Sequence, residues 1–210
     1  MDVGTDACLD YLSEALKQGE TSFDQITPNR TDAVRQGIGM TRLYYREIAP
    51  TIQPLLVEQR LEAIVDDGII LSGQPDTIAI EPGQIDDLKT GARGPGNHNV
   101  QIGCYSLLAQ SAGLTIERGV IDFVKRVPIG KVQPAAVRIT VPLALAEQTA
   151  ANVLRHVVDD LRVFRNGDER LGLRPGDPAA FLANPNSNLC SAKYCLAHGS
   201  NFCHEWQKSE

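Results

Sequence analysis

Apolar side chains recur at helical spacing from Asp6 to Lys17, where Cys8, Leu12, Ala15 and Leu16 share one face, Tyr11 lies beside them and Gly19 offers a stop. A second helical stretch covers Thr31 to Ile48 and ends before Pro50. The pattern then changes to that of strands. Pro54 to Val65 alternates loosely, with Leu55, Val57, Gln59, Leu61 and Ala63 on one side, and Asp66-Asp67-Gly68 is a hairpin turn signal. Ile69 to Ile80, a turn at Pro82-Gly83, and Gln84 to Gly91 complete an expected three-stranded meander. After the loop Gly94-Pro95-Gly96-Asn97, a helix is predicted from Asn99 to Ser111, with Val100, Gly103, Cys104, Leu107 and Leu108 as its packed face and Gly113 closing it. Leu114 to Val127 and Ala136 to Val141 read as strands, Leu145 to Phe164 as a long amphipathic helix. The order α-βββ-α-β(β)-α is that of an α/β protein with a mixed central sheet flanked by helices.

Composition bounds this picture without changing it. A chain of 210 residues, 42% hydrophobic and 22% charged, supports one sizeable core. The division expected is a core over residues 1–166 and a cysteine-containing C-terminal extension over 167–210, packed on that core. No run approaches the ~20 apolar residues of a membrane span. The N-terminus lacks the basic region and apolar run of a signal peptide, so a cytoplasmic location is the expectation. Five cysteines in such a chain argue against a disulfide framework. Three of them, Cys190, Cys195 and Cys203, crowd the C-terminal segment, which suggests a metal site or cluster. The net charge of -6 predicts weak intrinsic affinity for nucleic acid, or help from a partner.

The chemistry-bearing residues lie within thirty positions of one another: Asp76, then Asp87 and Lys89, then Gln101 and Tyr105. On a strand, residues of equal parity face the same way, so Asp87 and Lys89 share a face, roughly 7 Å apart, and Leu88 points the other way, into the core. A carboxylate and an ammonium so placed can hold a cation and a phosphate side by side. Two acids, the Leu88 backbone carbonyl and waters form a hard oxygen set that suits Mg2+ or Mn2+. Such a cation lowers the pKa of water and neutralises charge on a scissile phosphate. Lys89 orients the water or stabilises the transition state. Gln101 and Tyr105, one helical turn apart, share a face. Arg93, His98, Lys125 and Arg126 are candidate contacts to a DNA backbone. Glu58, in the first strand, either lines the same cleft or pairs across the sheet.

These residues resemble the PD-(D/E)XK nuclease superfamily, and within it the RecB-like exonucleases, which include CRISPR-associated and phage recombination enzymes. Gly73 and Asp76 match the Gly-x-x-Asp motif, Asp87-Leu88-Lys89-Thr90-Gly91 the Asp-hydrophobic-Lys-Thr-Gly motif, and Gln101 with Tyr105 the Gln-x-x-x-Tyr motif. Gly4-Thr5-Asp6-Ala7-Cys8 is similar to the opening Gly-x-x-x-His helix, with Cys8 where the family has a metal-binding histidine. The resemblance implies a Mg2+- or Mn2+-dependent deoxyribonuclease, an exonuclease of recombination or repair, acting on DNA with a recombination or helicase partner. It also implies an iron–sulfur cluster, for which Cys190-x4-Cys195-x7-Cys203 is similar to the terminal cysteine trio. The family's upstream cysteine has no counterpart, so the chain is expected to be shortened at its N-terminus. His198 or His204 completes an alternative three-sulfur, one-nitrogen zinc set. A second functional reading is a DNA-binding or assembly subunit that keeps the fold and has weak catalysis or none.

Overall fold

Asn29 begins the helix Arg30–Glu47 by accepting the Asp32 amide at 2.9 Å on its side-chain oxygen. That helix, α1, spans Arg30–Glu47, with Asp32 in its first turn and Arg46 in its last, each matched to the helix dipole. The computed structural model describes Glu14 and residues 24–80 and 82–181. Apart from Glu14, which is helical, the expected helix over Asp6–Lys17, Cys8 included, and the segment with Cys190, Cys195, Cys203, His198 and His204 lie outside the described residues. Packing divides the chain into two compact units, Met1–Ala151 and Asn152–Glu210.

The first unit is a mixed α/β arrangement. Strands β1 (Pro54–Val57), β4 (Thr77–Ala79), β5 (Gln84–Gly91), β6 (Arg118–Lys125) and β7 (Val137–Val141) form one five-stranded sheet in the order β1-β4-β5-β6-β7. Only β5 and β6 pair in parallel, with Asp87 opposite Ile121 and Lys89 opposite Phe123; the other pairs are antiparallel. The parallel pair needs a crossover, supplied by helix α2 (Asn99–Ser111). On the α2 face, Ile85, Ile102, Leu108, Ile121, Val141 and Ala146 build the main core. On the opposite face, Leu43 and Ile48 pack with Val124. A knot of polar side chains ties the segment before α1 to the end of β6. The buried Gln36 donates to the Ile26 and Val127 carbonyls at 2.7 and 2.9 Å, and Arg126 pairs with Asp24 at 2.6 Å.

The expected three-stranded meander is corrected in two places. The run Pro54 to Val65 is not one strand. Glu58 takes a left-handed φ of 46°, rare for a residue with a side chain, and breaks it into β1 and β2 (Leu61–Asp66). Leu55 and Val57 are accordingly exposed while Leu61 is buried. The run Ile69 to Ile80 likewise splits into β3 (Ile69–Gly73) and β4, separated by Gln74-Pro75-Asp76. Among the described residues β2 and β3 pair only with each other, turning at Gly68, so the hairpin stands as its own two-stranded sheet. Helix α2 has the expected bounds but a rotated face: Ile102, Gly103, Ser106, Leu108 and Ala109 are buried and Val100 is exposed.

The long helix α3 spans Leu143–Asn166. In the second unit its end is closed by the Gly167 and Gly176 amides, which donate to Val163 and Phe164 at 2.7 and 2.6 Å, and the Phe164 and Phe181 rings pack 5.1 Å apart. No helix among the described residues is long and apolar enough to cross a membrane.

Candidate active site

The break between β3 and β4 and the middle of β5 meet at Asp76. Its Oδ2 accepts the Leu88 backbone N–H at 2.7 Å, and its carbonyl accepts the Glu58 N–H at 3.0 Å. The two chain breaks that sequence patterning misses thus meet at one residue. Burial pushes the Asp76 carboxyl above its ordinary range; the charges of Asp87 and Glu58 add to the rise, while the Leu88 amide and Lys89 oppose it. Glu58 is therefore electrostatically part of the site, although it sits after β1 rather than within a strand.

Asp87 faces α2, as its parity requires, and is 1% exposed. Gln101 Nε2 donates to its Oδ1 at 2.9 Å and lies 3.1 Å from the Tyr105 hydroxyl, so the helical pair holds one oxygen of the carboxylate. Lys89 Nζ lies 2.6 Å from Asp87 Oδ2 with 29% of its side chain exposed. That contact is an ion pair rather than an aligned hydrogen bond, and Oδ2 has no hydrogen-bond partner among the described residues. Asp76 lies near enough for its charge and those of Asp87 and Lys89 to act on one another. Two carboxylates so coupled, one of them now held by an ammonium, are an oxygen donor set that fits a hard divalent cation. Among the described residues no group of three His, Cys, Asp or Glu side chains is arranged to hold a metal.

Gly73 earns its place by close approach. A Cβ there would lie 2.8 Å from Leu108 Cδ1 and 3.1 Å from Tyr105 Cε1, so a larger residue would have to displace the Leu108 and Tyr105 side chains of α2. The remaining candidates are not all brought together. Lys125, opposite Gly91 in register, is exposed on the Asp87 face, and Arg93 is exposed just beyond β5. His98 is the N-cap of α2 and makes no side-chain capping bond. Arg126 is engaged with Asp24 and Thr27. Leu88 corrects the expectation of a core residue: it is 36% exposed on the α1 face.

Sequence reasoning misses the polar network on that face. Arg138 of β7 bridges Asp86 at 2.5 Å and Asp122 at 2.6 Å and also donates to Thr51; Gln84 donates to Asp86 as well. Burial, and then the Asp122 charge, raise the Asp86 carboxyl to about 6. Only parity could have flagged it, since Asp86 must face away from Asp87.

No protein-family model matches the chain, and no curated protein matches it. Among solved structures, a crystal structure from Eubacterium rectale described as a "Putative exonuclease" superposes with a TM-score of 0.55 at 16% identity, covering 88% of this chain and 76% of that one. A second, SSO0001, matches with a TM-score of 0.33 and 15% identity over 73% of this chain and 87% of that chain. The first likeness shows a shared fold.

Proposed function

We propose that the chain is a metal-dependent deoxyribonuclease of the PD-(D/E)XK type, RecB-like, acting as an exonuclease in recombination or repair. The single observation that carries this reading is the convergence of Asp76, Lys89 and Gln101 on the buried Asp87 carboxylate. The fold shared with the exonuclease structure supports it.

Asp76, Asp87 and the Leu88 carbonyl would hold Mg2+ or Mn2+, which when bound supplies charge neutralisation at the phosphate and acidifies water. The chain's own residues do the rest. Gln101 and Tyr105 fix the Asp87 carboxylate so that little reorganisation is needed. Lys89, the partly exposed cation of the site, faces the phosphate and stabilises the charge that develops there. Lys125 and Arg93 steer and hold the backbone on either side, which offsets an acidic chain locally.

The test is release of acid-soluble nucleotides from linear and closed circular DNA with Mg2+ or Mn2+, with a chelator as control. Metal-dependent release from linear DNA alone is the expected result. DNA binding without release from either substrate would instead favour a non-catalytic binding subunit that keeps the fold.

A further inference from the structure

Strand β1 ends at Val57, paired with Thr77 of β4, and the next residue extends that ladder by one bond: the Glu58 N–H donates to the Asp76 carbonyl at 3.0 Å. There the chain turns away toward β2 through the left-handed φ of 46° at Glu58. Among the described residues every other position at positive φ is a glycine. The left-handed state is disfavoured for any residue with a Cβ and open to glycine without that penalty. The turn itself therefore has no use for a glutamate.

The glutamate is unfavourable a second time through its charge. It stands opposite an aspartate on an antiparallel pair, where like charges destabilise. Its charge joins burial and the Asp87 charge in raising the Asp76 carboxyl. Nothing within the described fold offsets either cost. The Glu58 side chain is exposed and makes no hydrogen bond or ion pair among the described residues. Arg60, two positions on, is turned to Glu62 at 3.2 Å. Negative charge kept at a strained position beside two other acids is relieved by a cation. Among the described residues no three acidic side chains are arranged to ligate one ion, so Glu58 stands outside the pair of Asp76 and Asp87. Mg2+ keeps several of its waters when bound to protein, and a carboxylate just beyond the ligands accepts hydrogen bonds from such waters.

Resting on the nuclease reading, we infer that Glu58 is a positioning residue for the cation of this site: its carboxylate, set beside Asp76 by the left-handed turn, draws hydrated Mg2+ or Mn2+ in and holds it from outside the ligand pair. The experiment titrates Mn2+ into the full chain without DNA and reads free Mn2+ by electron paramagnetic resonance. Glu58→Gln removes the charge and weakens Mn2+ binding about tenfold, the lower end of the usual effect of losing a partner just beyond the ligands. Glu58→Gly weakens it equally, yet resists urea at least as well as the wild type, because the strain goes with the side chain. Glu58→Asp keeps the charge and binds Mn2+ like the wild type. Glu62→Gln, which removes an exposed charge of the same sign from the hairpin, leaves binding unchanged. With linear DNA, the Mn2+ concentration for half-maximal cleavage rises in Glu58→Gln by the same factor as the dissociation constant.

Mn2+ affinity unchanged in Glu58→Gln, or weakened as much in Glu62→Gln, overturns the role of Glu58. Weakening in Glu58→Gly but not in Glu58→Gln ascribes the effect to the turn rather than the charge, and overturns it too. In each case metal-dependent cleavage by the wild type leaves the nuclease reading standing. Mn2+ binding that depends on Glu58, in a wild type that cleaves no DNA, does the reverse. A wild type that neither binds Mn2+ nor cleaves DNA removes both.

Discussion

The Asp76 carboxylate accepts the Leu88 amide at 2.7 Å, so the acid at the β3–β4 break is fastened to the strand that carries Asp87 and Lys89. The same group is destabilised as an anion by burial and by the charges of Asp87 and Glu58. Holding and charge can be separated. Asp76→Asn keeps an oxygen for the Leu88 N–H and relieves the repulsion, so it is expected to be at least as stable as the wild type in urea denaturation. Asp76→Ala loses the charge-assisted bond and falls by about 1.5–3 kcal/mol. Both lose nuclease activity, because neither supplies an anionic ligand.

Gln101 is the only hydrogen-bond donor seen on the buried Asp87 side chain among the described residues. Gln101→Ala takes the hydrogen bond from Asp87 Oδ1 and leaves the carboxylate with Lys89 alone, and is expected to cost about 1–3 kcal/mol. Gln101→Glu sets two carboxylates against each other and lowers stability further. Comparison of the two variants by thermal unfolding, with DNA cleavage measured alongside, checks both orders.

The network behind the site predicts a pH dependence. The Asp86 carboxyl is raised from 3.8 to about 6, first by burial and then by Asp122. Between those pH values the folded state binds more protons than the unfolded state. The contribution of this group is therefore fully present below about pH 4 and is lost as pH rises through about 6. Asp86→Asn removes this falling component from a plot of unfolding free energy against pH. Arg138→Met strands Asp86 and Asp122 as buried anions and costs about 3–5 kcal/mol at pH 7, the usual penalty for breaking a buried ion pair.

Helix α2 is seated by Gly103, where a Cβ would run into the Ala146 carbonyl oxygen at the start of α3. Gly103→Ala gains helix propensity of about 1 kcal/mol and is nonetheless expected to be strongly destabilising, since backbone must move to admit the methyl. Because α2 carries Gln101 and Tyr105, the variant loses DNA cleavage even at temperatures where circular dichroism shows it folded.

Local chemistry made part of this legible in the sequence. Period-2 alternation places Asp87 and Lys89 together on the face that meets Gln101, and a glycine-bounded apolar run marks α2 at both ends. What escaped depended on backbone states or distant partners. Glu58 has no sequence signature for its positive φ, so β1 and β2 read as one strand. Gln74-Pro75-Asp76 resembled strand interior until β4 was seen to pair with β1 and β5. Leu88 looked like core because an apolar residue flanked by charges on a central strand usually is; α1 passes it at a distance that leaves a cavity. Arg138 joins acids 16 and 52 residues away, a pairing no local pattern encodes.

The most direct measurement is the initial rate of hydrolysis of end-labelled linear DNA as Mn2+ is titrated, for the wild type, Asp87→Ala and Lys89→Ala. A saturable, metal-dependent rate in the wild type, reduced at least a hundredfold in each variant while DNA binding without metal persists, is the outcome expected of a nuclease centre at Asp76, Asp87 and Lys89. Equal rates in all three proteins would contradict it.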